Sequence, residues 1–180
     1  MKNAAKAIIL VLFSSAVGFS ETPKQLGGWS VYSSSGSPTF NHEVLLQSAS
    51  EEQYKDAGGN QVQAKLDVIC KKGKLFAIAL EPQVTIKKSA ISFAGAVPTT
   101  RVNFSMDGQS NQSEEWAVLD SGRTLSPNAE LLQGKLMRHW IERIAGTQKM
   151  VFQLDGESEV HSSFATGELS EALASVGCSY

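Results

Sequence analysis

Only two cysteines occur in this chain of 180 residues, Cys70 near its middle and Cys178 close to its end. Joined, they would tie the C-terminus to the centre of the domain. Because 108 positions separate them, the chain-entropy view assigns that closure about 4 to 5 kcal/mol, which native strain can erode. A single disulfide is the default pairing if the chain is exported into an oxidising space. Two separate buried thiols, or a free reactive thiol at the tail, are the alternatives. A zinc site does not fit, since two cysteines without nearby histidines cannot supply four ligands.

The first residues argue for export. Lys2 and Lys6 precede an uncharged stretch, Ala7 to Phe19, that includes the unbroken apolar run Ala7 to Phe13. Gly18 and Ser20 are small residues at the spacing that a signal peptidase accepts, with cleavage between Ser20 and Glu21. A retained membrane anchor is the weaker alternative, because thirteen residues fall short of the roughly 20 that span a bilayer as a helix. The expected organisation is thus a signal peptide over 1–20 and one exported domain over 21–180, with no membrane span once the leader is removed. The mature part would keep 14 basic and 18 acidic residues, a net charge of −4. That balance excludes a phosphate-driven nucleic-acid binder, which needs a cationic excess, and 42% hydrophobic residues exclude a disordered acidic tail.

Hydrophobic periodicity sets the fold class. Ala64, Leu66, Val68 and Cys70 alternate with Gln63, Lys65, Asp67 and Ile69, which predicts a half-buried strand with Cys70 facing the core. Lys71-Lys72-Gly73-Lys74 is a compact turn, so Gln63 to Leu80 reads as an antiparallel hairpin. Further strands are expected at Trp29–Ser33, His42–Ala49, Gln83–Lys87, Arg101–Met106, around Trp116, at Lys149–Asp155 and at Val160–Ala165, with a loop over Ser50–Asn60. Ser126-Pro127 has the form of a helix start, and Leu132, Leu136, Met137, Trp140, Ile141 and Ile144 give that helix one apolar stripe. Leu169, Ala172, Leu173 and Val176 share a face of a last helix that Gly177 is placed to stop. The resulting expectation is an α+β class, a single domain with an antiparallel sheet or sandwich and two helices in its C-terminal half.

Nothing in the sequence has the spacing of a catalytic centre, and the expectation is a protein that is not an enzyme and needs no cofactor or metal. His42, His139 and His161 are scattered, and His42-Glu43 lacks a histidine four positions on, where Leu46 stands. Ser33-Ser34-Ser35-Gly36 lacks the leading glycine of a nucleophile elbow. Glu51-Glu52 and Glu114-Glu115 read as solvated loop acids rather than as general acid/base pairs.

One resemblance adds to this. Trp29-Ser30-Val31 leading into Ser37-Pro38, then Leu66-Asp67-Val68-Ile69-Cys70, Arg101 to Asp107 followed by Trp116, and Phe164 to Leu169 with Ala172-Leu173 and Cys178 stand in an order that resembles the VasI (TagO) family, periplasmic proteins associated with bacterial type VI secretion. The likeness covers most of residues 29–180. Two family arginines are replaced, by Ile69 and by Ser105, which removes charge. The resemblance carries over Cys70 and Cys178 and no catalytic residue. It implies a periplasmic or secreted bacterial accessory protein that binds a protein partner in the cell envelope, secretion-system components among them. The alternative is a small exported enzyme or enzyme inhibitor acting on envelope material, which would need a cleft with convergent polar groups.

Overall fold

The strand expected around Cys70 lies inside one large antiparallel sheet. A computed structural model describes residues 22–33, 43–86, 91–94, 97–127, 135–155 and 159–180. The leader, Ser34 to Pro38, His42 and Leu132 fall outside the described residues. The strands are β1 (Lys24–Leu26), β2 (Trp29–Ser33), β3 (Glu43–Ala49), β4 (Tyr54–Lys55), β5 (Gln61–Val62), β6 (Lys65–Lys71), β7 (Lys74–Glu81), β8 (Ile91–Ala94), β9 (Val97–Met106), β10 (Gln112–Leu119), β11 (Thr124–Pro127), β12 (Lys149–Asp155) and β13 (Glu159–Ala165). Among the described residues there are two α-helices, α1 (Lys135–Ala145) and α2 (Leu169–Ser175), and a short 3-10 turn at Asp120–Gly122. Eleven strands form one sheet in the order β1-β2-β3-β6-β7-β11-β10-β9-β12-β13, with β8 paired to β9, and β4-β5 form a separate small ribbon.

The sheet curls until its last strand reaches its first ones. The amide of Glu51 donates to the carbonyl of Ser163 at 2.8 Å, and the hydroxyl of Ser48 donates to the carbonyl of Ala165 at 3.4 Å. Gly28 sits so close to β13 that a Cβ there would stand 2.8 Å from the Ala165 carbonyl oxygen. Glu52 fastens this closure with its side chain, accepting the amide of Ser163 at 2.6 Å and the Ser163 hydroxyl as well. Curling places one face inside, where Leu46, Leu66, Val68, Ile78, Leu80, Leu125, Trp116, Val102, Phe104, Phe152 and Phe164 make a continuous core with Trp29.

The α+β expectation is overturned: the fold is close to all-β, and among the described residues the α-helices span 11 and 7 residues. Three segments account for the difference. Ser126-Pro127 opens no helix but ends β11, because Ser126 donates its hydroxyl to the carbonyl of Ile78 at 2.8 Å and Pro127 stands opposite Trp116 on β10, at a strand end where a missing N–H costs nothing. The loop expected over Ser50–Asn60 contains β4 and turns back into β5. The strand expected from Gln83 is a bend over its described part: Gln83 has φ 60°, and the Ile86 amide donates to the Gly122 carbonyl at 3.2 Å.

The helices do what their stripes predict. Met137, Trp140, Ile141 and Ile144 are buried, and the Trp140 ring meets Phe104 and Trp116 edge-on at centroid distances of 4.8 Å each. At the end of α2, Gly177 with φ 66° lets the Cys178 amide reach the Leu173 carbonyl at 3.0 Å and the Gly177 amide the Ala174 carbonyl at 3.1 Å, the Schellman arrangement. This turn presents Cys178 to β6, where it is bonded to Cys70 with a Cα–Cα distance of 6.0 Å. Ser179 then lies alongside Lys74 as a parallel bridge, held by Gly73 of the β6–β7 turn. The protein has no free cysteine, and among the described residues no helix is long and apolar enough to cross a membrane.

Candidate functional site

Three turns meet at one edge of the β6–β7 hairpin and enclose a polar cleft of about 420 Å³. The first is the β4–β5 turn. Asp56 builds it by accepting the amides of Gly58 and Asn60, each at 2.8 Å, and the Asn60 side chain. These bonds, led by the Asn60 side chain, hold the Asp56 carboxyl below the usual carboxylate range. Tyr54, next in the ribbon, donates its hydroxyl to the carbonyl of Pro82 and so fastens the turn over the end of β7. Burial pushes that hydroxyl up to about 12.

The second wall is the end of β7. Glu81 accepts the side-chain amide of Gln83 at 3.2 Å, an approach made from the left-handed backbone of Gln83. The third is the β10–β11 turn, in which Asp120, Ser121 and Gly122 take φ of 46°, 56° and 96° in succession. Two non-glycine residues in that region are costly, and the turn is held by the Arg123 amide on the Asp120 carbonyl and by Ile86 on Gly122, both at 3.2 Å.

Lys55, Asp56, Glu81, Gln83, Asp120 and Arg123 thus line one space. The ion pairs among the described residues are Lys71 with Glu43, Arg101 with Glu115, Arg138 with Glu142, Arg143 with Glu114 and Lys149 with Glu51. None involves a charge of the cleft. Two cations and three carboxylates therefore share a cleft without neutralising one another.

Behind Glu81 lies Asp67. It points away from the core face of β6, yet it is only 6% exposed, and it accepts the side-chain amide of Gln47 at 2.9 Å. Burial first, and the negative charge of Glu81 second, push its carboxyl up to about 7. Proton occupancy at Asp67 is therefore coupled to a charge on the cleft wall.

A second polar cluster is structural. Arg143 of α1 donates to Glu114 at 2.8 Å, Trp140 donates to the other Glu114 oxygen at 3.1 Å, and the guanidinium lies 4.7 Å from the Phe104 ring centre and 4.8 Å from that of Trp140. Glu114 stands on β10 and clamps the helix to the sheet. The loop reading of Glu114-Glu115 is corrected, since both belong to β10; Glu51-Glu52 does lie in an irregular segment after β3, from which Glu51 pairs with Lys149 and Glu52 accepts the Ser163 amide. His139 lies on α1 and His161 on β13, and no group of three or more metal-ligating side chains forms among the described residues.

No protein family, curated protein or solved structure matches this chain. Sequence reasoning found Cys70 and Cys178, which the fold brings together, but none of the cleft residues. Their only local signals are turn residues, Pro82-Gln83 and Asp120-Ser121-Gly122, which mark bends without saying that the bends converge.

Proposed function

We propose that this chain is an exported, non-enzymatic accessory protein of the bacterial cell envelope, acting by binding, and that the machine it serves is a type VI secretion system. The observation that carries the binding reading is the cleft whose charges are held by rigid turns and left without ion-pair partners. The disulfide supports an oxidising compartment, the periplasm, and the order of tryptophan, cysteine and C-terminal landmarks, which resembles VasI, supports the machine.

The test is made in a type VI-competent bacterium that carries this chain. Deleting it should lower the amount of secreted tube protein in the medium, and the wild-type chain supplied in trans should restore it. Unchanged tube-protein secretion after deletion would remove the secretion-system assignment, and reduced cysteines in a cytosolic fraction would remove export. Asp67, buried behind the cleft wall and within the field of Glu81, favours a second reading, an exported enzyme using an acid held protonated near neutrality. Release of soluble fragments from purified envelope by the wild-type protein, abolished in Glu81→Gln, would establish that reading instead.

A further inference from the structure

The five ion pairs among the described residues all lie away from the cleft. There, Lys55 and Arg123 on one side of the account and Glu81 and Asp120 on the other make no ion pair among the described residues. Asp56 is spoken for by its own turn. The free charges thus number two of each sign, which disfavours a polyanion such as a nucleotide: its phosphates would gain two cations but face two uncommitted carboxylates. Among the described residues the lining includes no aromatic ring, and its aliphatic members are Ala57 and Val84, which gives little for a lipid chain or a sugar ring to stack on. The volume, about 420 Å³, lies in the range of small-molecule sites.

We propose that the cleft receives a small dipolar ligand of the amino-acid or short-peptide class, its carboxylate taken by Lys55 and Arg123 and its ammonium by Glu81 and Asp120. This deepens the binding reading above and rests on it only for the cleft's being a binding site. The guanidinium offers a planar pair of donors that matches a carboxylate, while the lysine adds a point charge. Glu81 keeps one carboxylate oxygen beyond the one bonded to Gln83, so it can accept from an ammonium without breaking that bond.

The probes are triglycine, N-acetyl-triglycine and triglycine amide, titrated into the isotope-labelled mature protein while backbone amide resonances are followed. Triglycine should shift the amides of Gln83, Thr85 and Asp120 to Thr124 saturably. Either blocked form should bind at least about tenfold more weakly, the loss of one charged contact. Arg123→Gln should weaken triglycine about tenfold and Glu81→Gln similarly, with resonances far from the cleft unmoved, which separates lost binding from lost folding. Absence of saturable shifts up to about 10 mM, or blocked peptides binding as tightly as the free one, would overturn the proposal, as would a preference for phosphoethanolamine over triglycine. Triglycine binding with no secretion defect on deletion would leave this inference standing and sink only the secretion-system role.

Discussion

Leu66, Asp67 and Val68 are consecutive on β6 and all three are buried, so period-two alternation separates the faces of this strand but not the dry from the wet. Leu66 and Val68 were legible in the sequence because one face of a half-buried strand repeats every second residue. Asp67 was not, because alternation reports which face a residue is on and not how the side chains of neighbouring strands, such as Gln47 of β3, cover that face. Its consequence is a pH dependence of fixed sign. Its folded value is raised to about 7 from an ordinary 3.8, so the folded state holds a proton that the unfolded chain releases. The stability this contributes is complete below the unfolded value and is lost as pH rises through about 7. Gln47, Glu81 and Lys65 are the groups around it. The parent's thermal midpoint should fall between about pH 5 and pH 8, by the equivalent of at most about 3 kcal/mol. Asp67→Asn, which keeps the shape without the charge, should give a flat profile and be the more stable protein at about pH 8. A flat parent profile would show that Asp67 is not held as a buried acid. Trp140→Asp puts a charge among Phe104, Trp116 and Ile141 and breaks the bond to Glu114, so urea denaturation should show a loss of about 4 kcal/mol or more.

At the scale of elements, local signals succeeded where an element's own period decided it and failed where a distant partner did. The Gln63–Leu80 hairpin followed from alternation plus Lys72-Gly73, whose positive φ values of 53° and 71° suit the two-residue turn. The α1 stripe was correct from Leu136 onward, but the start of the helix was misplaced because Ser126-Pro127 satisfies a helix cap and a strand end equally well, and the partner that decides, Ile78, lies 48 positions away. The closure of the sheet has the same non-local origin. Glu52 acts there as a substitute for a strand, lending carboxylate oxygens to the edge of β13. Burial pushes Glu52 up, yet the hydroxyl and amide of Ser163 outweigh it and hold the carboxyl below its ordinary value. That contribution is present above the ordinary carboxylate range and lost as pH falls through the lowered value. Glu52→Ala should cost about 1 to 2 kcal/mol near neutral pH and speed hydrogen exchange at the Ser163 amide, with less difference from the parent in acid. Unchanged exchange at Ser163 would mean that the contacts from Glu51 and Ser48 close the sheet without Glu52.

For the whole molecule, the disulfide decides how much of the fold survives on packing. The sheet order joins β7 to β11 through one registered pair, Leu80 with Leu125, beside the Ser126 hydroxyl on the Ile78 carbonyl, and this is a seam between its two halves. The C-terminal tail lies against the β6–β7 side of that seam, with Ser179 beside Lys74 and Cys178 bonded to Cys70. The cross-link therefore does two things. It limits the unfolded chain across a separation of 108 residues, and it holds the segment after β12 and β13 against strands from the first half. The first effect alone is about 4 to 5 kcal/mol in the chain-entropy view. Unreduced mature protein should take up no thiol label, and Cys70→Ala/Cys178→Ala should lower the urea midpoint in line with a loss of that order. The second effect makes a sharper prediction. In the double variant, α2 and the tail should exchange amide protons faster than β9, β10 and β12, because their anchor is gone while the core around Trp116, Trp140 and Phe152 is intact. Uniform acceleration across all of these elements would mean that the bond acts only on the unfolded chain and that packing of Leu169, Ala172 and Leu173 is enough to seat the helix.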